Sequence, residues 1–150
     1  MIVKNIMKKD VFTIPHTATY YEAAKVLNDH QISGAPIVDD DNKLIGMITE
    51  KDLFKVLYPF YKSYYENPEL YADAEDRENK ASEIKNDSIA KFFSHDINTV
   101  TPETLIMKAG AILIAKGIHR MPVVDAKGRI VGIISRGDIF SEVLKRNFGF

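Results

Sequence analysis

Cysteine is absent from this chain of 150 residues, and several chemistries are excluded with it. There can be no disulfide, thiolate metal site, cysteine nucleophile or thiol redox switch, and a reducing compartment is the expected setting. Also missing is an excess of either charge: 20 Lys and Arg stand against 21 Asp and Glu, a formal net charge of −1. No global positive field therefore draws the chain to DNA or RNA, whose affinity grows with the number of phosphates neutralised. No apolar run approaches the ~20 residues of a membrane span. The N-terminus, MIVKNIMKKD, carries lysines at 4, 8 and 9 and no apolar core of signal-peptide length. A soluble, cytoplasmic protein with neither nucleic acid nor membrane as partner is expected.

Catalytic signatures are missing too. The glycines form no phosphate loop ending in Lys-Ser or Lys-Thr, and neither H-E-x-x-H nor G-x-S-x-G occurs. His16, His30, His95 and His119 are scattered, without metal-ligand spacing. Neither an enzyme nor a metal site is expected.

What the chain does have is a repeat. Residues 11–54 align with 97–140 at a constant offset of 86, without gaps, giving 11 identities in 44 positions. Among them are Ala23/Ala109, Leu27/Leu113, Pro36/Pro122, Asp39/Asp125, Gly46/Gly132, Asp52/Asp138 and Phe54/Phe140. Each copy reads as strand, helix, strand, strand, helix. VFTI and INTV are short extended segments, and TYYEAAKVLNDHQ and TLIMKAGAILIAKG carry apolar residues at helical spacing. APIVD, MPVVD, LIGMIT and IVGIIS are β-branched strands, and EKDLFKVL and RGDIFSEVL return to helix. Thr19 with Glu22 predicts a capping box. The turns DDDNK and DAKG place Asn42 and Gly128 where φ > 0 is tolerated. A copy of about 44 residues buries too little apolar surface to offset its conformational entropy, so the pair is the expected folding unit.

The alanine-containing helix, PIVD with PVVD, and the endings GMITEKD and GIISRGD, in the same order twice, resemble the CBS domain, and the tandem resembles a CBS pair, or Bateman module. The resemblance implies an α/β (α+β) fold of two βαββα repeats packed about a pseudo-two-fold axis. It further implies two clefts between the copies that take adenosine nucleotides, and association of modules into dimers. Repeat 1 is expected over about 1–57, a helical insertion over 58–88 and repeat 2 over 89–147.

The chemistry of the endings fits such a ligand. An ionised aspartate is an acceptor only and can take both ribose hydroxyls. By the resemblance Asp52 and Asp138 hold ribose. Thr49 and Ser135 stand three residues earlier at helix starts, where free N–H groups favour an anion; the same pattern also serves as ordinary helix capping. His119 and Arg120 before the later strand supply a permanently charged fork and a further donor suited to phosphate, or else a surface pair at a strand edge. The matching residues in the first copy are Ser33 and Gly34.

The expectation is therefore asymmetric: a cleft of Asp138, Ser135, His119 and Arg120 for di- or triphosphates, and a less charged one of Asp52 and Thr49, tempered by Lys51. By the resemblance the base is held from the facing copy. Ala18, Ala23, Ala35 and Ile37 then serve the Asp138 cleft, and Thr104, Ala109, Met121 and Val123 the Asp52 cleft, although each also suits an ordinary core. Charge runs the same way: acids outnumber bases 8 to 3 over residues 66–87, whereas bases outnumber acids 7 to 3 over residues 116–146.

Seven of the 15 aromatics lie between Phe54 and Tyr71. Pro59 is expected to end or kink the preceding helix, and the tyrosine-rich stretch is expected either to pack on a second protomer or to fold back as extra core. The expected function is a non-catalytic sensor of AMP, ADP, ATP or S-adenosylmethionine, with Mg²⁺ only as a companion of phosphates. It works as a homodimer and is read by a separate effector protein. The alternative is a dimerisation scaffold with no physiological ligand.

Overall fold

Thr19 starts the first long helix by the reciprocal bonding its sequence predicts: its hydroxyl accepts from the Glu22 amide and its own amide donates to the Glu22 carboxylate. The computed structural model, which describes residues 1–58 and 78–150, sets this helix in repeat 1 as β1 (Ile14–Pro15), α1 (Tyr20–Asp29), β2 (Gly34–Val38), β3 (Leu44–Thr49) and α2 (Glu50–Lys55). After α3 (Lys80–Ile84), repeat 2 follows as α4 (Ile106–Lys116), β4 (Arg120–Val124), β5 (Ile130–Ser135) and α5 (Arg136–Phe148). Of the helical insertion expected over 58–88, residues 59–77, with the aromatic run from Pro59 to Tyr71, lie outside the described residues.

β2 and β3 pair antiparallel, as do β4 and β5. Both hairpins shift register at equivalent places, Ile37/Val38 and Val123/Val124, so the repeat extends to its irregularities. The first expected strand of each copy is shorter than predicted. VFTI contributes only Ile14 to β1, parallel to β2, and INTV contributes only Val100, which bridges Val123. Pro15 continues β1 opposite Val38, while Pro102 has left the sheet, its carbonyl accepting from Lys4.

Asn42 takes φ 62° and Gly128 φ 78°, as their turns predict. The Asp39 carboxylate accepts from the amides of Asp41 and Lys43, and the Asp125 carboxylate from those of Lys127 and Arg129. These tips join the repeats. Leu44 donates to the Gly128 carbonyl and Ile130 to that of Asn42, flanking a bridge between Lys43 and Arg129. Residues 43 and 129 differ by the repeat offset, so this bridge between equivalent positions marks the pseudo-two-fold axis.

The cores are two, and each is completed by the other repeat. The Ile14, Ala23, Ile37 and Ile48 cluster takes in Ile89 and Phe93 from the segment that opens repeat 2. The Ala109, Leu113, Met121 and Ile134 cluster takes in Val3, with Ile6 and Met7 against it, from the segment that opens repeat 1. Backbone pairing fixes the exchange: Met47 and Ser94 bond reciprocally, and Ile133 and Lys8 do the same 86 residues out of step. Gly46 and Gly132 make room for it. A Cβ on Gly46 would stand 2.3 Å from a Phe93 ring carbon, and one on Gly132 would stand 2.7 Å from the Met7 sulfur. Among the described residues the buried side chains are apolar, with no buried charge.

Candidate functional site

β3 ends by handing its last residue to α2. Thr49 is extended, its hydroxyl accepts from the Asp52 amide at 3.2 Å, and Asp52 Oδ2 accepts from the Thr49 amide at 2.9 Å and hydroxyl at 3.0 Å. Ser135 and Asp138 repeat the box at the start of α5, with Asp138 Oδ2 accepting from the Ser135 amide at 3.0 Å and hydroxyl at 2.7 Å. The capping reading of these pairs therefore holds. It does not compete with a binding role: the box uses Oδ2 alone and fixes the rotamer, leaving Oδ1 outside it.

One cavity of about 490 Å³ opens beside the first box, within the range of small-molecule sites. Its floor is apolar, made of Met47 on β3, Pro122 on β4, and Ile97 and Ile118. Its polar groups are Thr49, Asp52, Glu50 and Lys51 from repeat 1 and His119 and Arg120 from repeat 2, with Ser94, Asp96 and Asn98 from the exchanged segment. The cavity thus lies between the repeats, and three stretches of chain meet in it.

This arrangement corrects the expected grouping. His119 and Arg120 line the cavity of Asp52 and Thr49, whereas Asp138 and Ser135 do not. The cause is the crossing at the axis, by which the residues preceding β4 face the β3–α2 junction of the other repeat. Ser33 and Gly34, their counterparts, line the same cavity from the near side. Arg120 is half-buried, and its Nε is removed from water with no hydrogen-bond partner. A guanidinium donor in that state is uncommon in folded proteins. The His119 ring is held by Arg136, whose Nη2 donates to it.

At the second box Lys8 stands 3.8 Å from Asp138 Oδ1. Lys8 was invisible to the repeat alignment because it belongs to the exchanged segment; Ser94, its counterpart by offset, was missed with Asp96 for the same reason, and Asn98, though aligned, was read only as part of a short strand. The expected base-holding residues behave as core. Ala23, Ala35, Ile37, Ala109, Met121 and Val123 are fully buried and Ala18 nearly so, and none lines the cavity. Thr104 instead caps its own turn and anchors the exchanged segment, accepting from the Thr101 amide with its hydroxyl and from the Val3 amide with its carbonyl. Among the described residues no cluster of three His, Asp or Glu is placed to hold a metal, and no helix is long and apolar enough to cross a membrane.

Comparison with known proteins places this geometry. A CBS domain-containing protein of Dictyostelium discoideum is 32% identical over 145 residues, covering 97% of this chain and 92% of its own. The CBS-pair protein CBSX2 from Arabidopsis thaliana, also solved with AMP, superposes with a TM-score of 0.77 at 22% identity, covering 97% of each chain. The CBS domain pair of protein MJ0100, solved with 5′-methylthioadenosine and S-adenosylmethionine, gives a TM-score of 0.69 at 26% identity, covering 98% of each chain. The sequence profile of the CBS domain matches residues 3–59 and 89–145. Those two spans begin at the exchanged segments and end after α2 and within α5, and by them the chain belongs to the CBS domain family, as a tandem pair.

Proposed function

We propose that the chain is a regulatory, non-catalytic module that binds an adenosine-containing ligand such as AMP, ADP, ATP or S-adenosylmethionine in the cavity between its repeats, and that a separate effector protein reads its occupancy. The observation that carries this reading is that Asp52 of repeat 1 and Arg120 of repeat 2 line one cavity, the arginine holding a buried, unbonded Nε. Ribose hydroxyls reach the free Oδ1 of Asp52, the base lies on Met47, Ile118 and Pro122, and a phosphate or carboxylate meets Arg120 and Lys51. Ligand complexes of the 26% identical pair agree with the ligand class. Because the cavity draws on both repeats, a ligand that spans it couples them, and it shifts an equilibrium by its differential affinity for the two arrangements. Mg²⁺ enters only with phosphates, and the cytoplasm is the place of action in this reading.

Two copies associate through their helices. Phe54 on α2 and Phe140 on α5 occupy equivalent positions and are 59% and 64% exposed, among further exposed large apolar residues that include Tyr21, Met107 and Ile114, an apolar surface that association would cover. A second copy is the occupant favoured by charge: Glu50 and Arg136 are equivalent positions of opposite sign, as are Glu22 and Lys108. Head-to-tail pairing therefore sets acid against base.

The test is thermal. A ligand that binds only the folded chain raises Tm by mass action, by roughly 5–10 °C at a hundredfold excess over Kd. AMP, ADP, ATP and S-adenosylmethionine are tried separately, and an unchanged Tm with all four at millimolar concentration rejects the sensor in favour of a ligand-free scaffold.

A further inference from the structure

The charge within the cavity is not the one a polyphosphate needs. Two carboxylates, Glu50 and Asp96, line it in addition to Asp52, and the fixed cations opposing the three are Lys51 and Arg120. Glu50 is the first residue of α2, where its amide donates to the Ser33 carbonyl, and it has no hydrogen bond or ion pair of its own side chain among those described. Asp96 sits on the exchanged segment, positioned by its amide bonding to Ser94 Oγ, and is an exposed residue lining the cavity. Among the residues lining the cavity, the carboxylates of Asp52, Glu50 and Asp96 thus stand against the fixed cations Lys51 and Arg120, an excess of negative charge that a phosphate chain would have to enter.

Resting on the adenosine-binding reading above, we infer that Glu50 and Asp96 are specificity residues that reject polyphosphates, and that the site takes an adenosine compound of low net charge: one phosphate, or the sulfonium and amino-acid group of an S-adenosyl compound. A single phosphate is met by Arg120. Each phosphate added beyond it brings further negative charge into a cavity lined by Glu50 and Asp96, where like charges repel through partly excluded water. A sulfonium or ammonium in the same place is attracted by them. This reverses the expectation that His119 and Arg120 mark a di- or triphosphate cleft, because it counts the residues of the exchanged segment and of α2 that the repeat alignment did not bring into the site.

The experiment is calorimetric titration with adenosine, AMP, ADP, ATP and S-adenosylmethionine, in EDTA to remove Mg²⁺, on the natural chain and on the doubly neutralised variant Glu50→Gln with Asp96→Asn. Both substituted side chains are exposed, and far-UV circular dichroism checks that the variant is folded. On the natural chain affinity should fall from AMP to ADP to ATP, with AMP at least about tenfold tighter than ATP, a gap of the size that one or two such repulsions produce. In the variant the AMP-to-ATP ratio should shrink several-fold, and S-adenosylmethionine should weaken. ATP binding as tightly as AMP to the natural chain, or a ratio unmoved by the variant, overturns the filter while leaving the adenosine reading intact. Silence from all five compounds overturns both.

Discussion

At the scale of single residues, Gly46 and Gly132 set the closest constraint. Each strand passes under a large side chain brought from the other repeat, Phe93 over Gly46 and Met7 over Gly132. Replacing Gly46 by Ala forces the Phe93 ring aside and should cost about 1–3 kcal/mol, the usual range for overpacking. Met7 is flexible and can yield, so Gly132→Ala should cost less. Urea denaturation of the two variants checks the order, and equal losses would contradict the packing described. Their identity across the repeats was legible in sequence; their reason was not, because Phe93 and Met7 lie outside the aligned stretch. Asp125 gives a prediction in pH. The Arg129 amide foremost, with the Lys127 amide and the Arg129 side chain, holds its carboxyl below the usual carboxylate range. A depressed folded-state pKa gives stability that is present above the unfolded value, near ~4, and lost as pH falls through the folded one. Tm measured from pH 6 to pH 2 should therefore fall less steeply in Asp125→Asn than in the natural chain.

At the scale of elements, the two hairpins and the helices that follow them could be read directly, since their β-branched runs, turn residues and capping pairs are local signals. The Thr19, Thr49 and Ser135 caps and the left-handed Asn42 and Gly128 are instances in which chemistry between near neighbours decides structure. The short first strands were overestimated because a β-branched tetrad says nothing of how far a neighbour accompanies it. The exchanged segments were not legible at all, for nothing local in IVKNIM states that its apolar side chains will enter the core of the later repeat. That exchange has a consequence. Removing residues 1–10 withdraws Val3, Ile6 and Met7 from the second core and leaves the Ile133 amide and carbonyl without their Lys8 partner. Amide exchange in β5 and α4 should then accelerate well beyond that in β2 and β3; uniform acceleration across both repeats would refute two separately completed cores.

At the scale of the whole molecule, the same exchange and the crossing at the Lys43–Arg129 bridge determine what meets in the cavity. Sequence offered Asp52, Thr49, His119 and Arg120 as candidates but grouped the last two with Asp138, whereas they line the cavity of Asp52, because an alignment superposes equivalent residues and says nothing of which repeat they face. The proposed association of two copies belongs to this scale as well. Glu50→Lys should weaken it and Arg136→Glu likewise, whereas the double reversal should restore it, as sedimentation velocity would show. A double variant no better than either single one would point away from head-to-tail pairing.

The most direct test of the account compares four proteins in one titration with AMP: the natural chain, Asp52→Ala, Arg120→Ala and Asp138→Ala. Binding at the cavity predicts that the Asp52 and Arg120 changes each weaken AMP by tenfold or more, about 1.4 kcal/mol, while Asp138→Ala leaves it within a few-fold. Loss of binding in Asp138→Ala with retention in Asp52→Ala would show that the ligand lies elsewhere and that Arg120 does not share a site with Asp52.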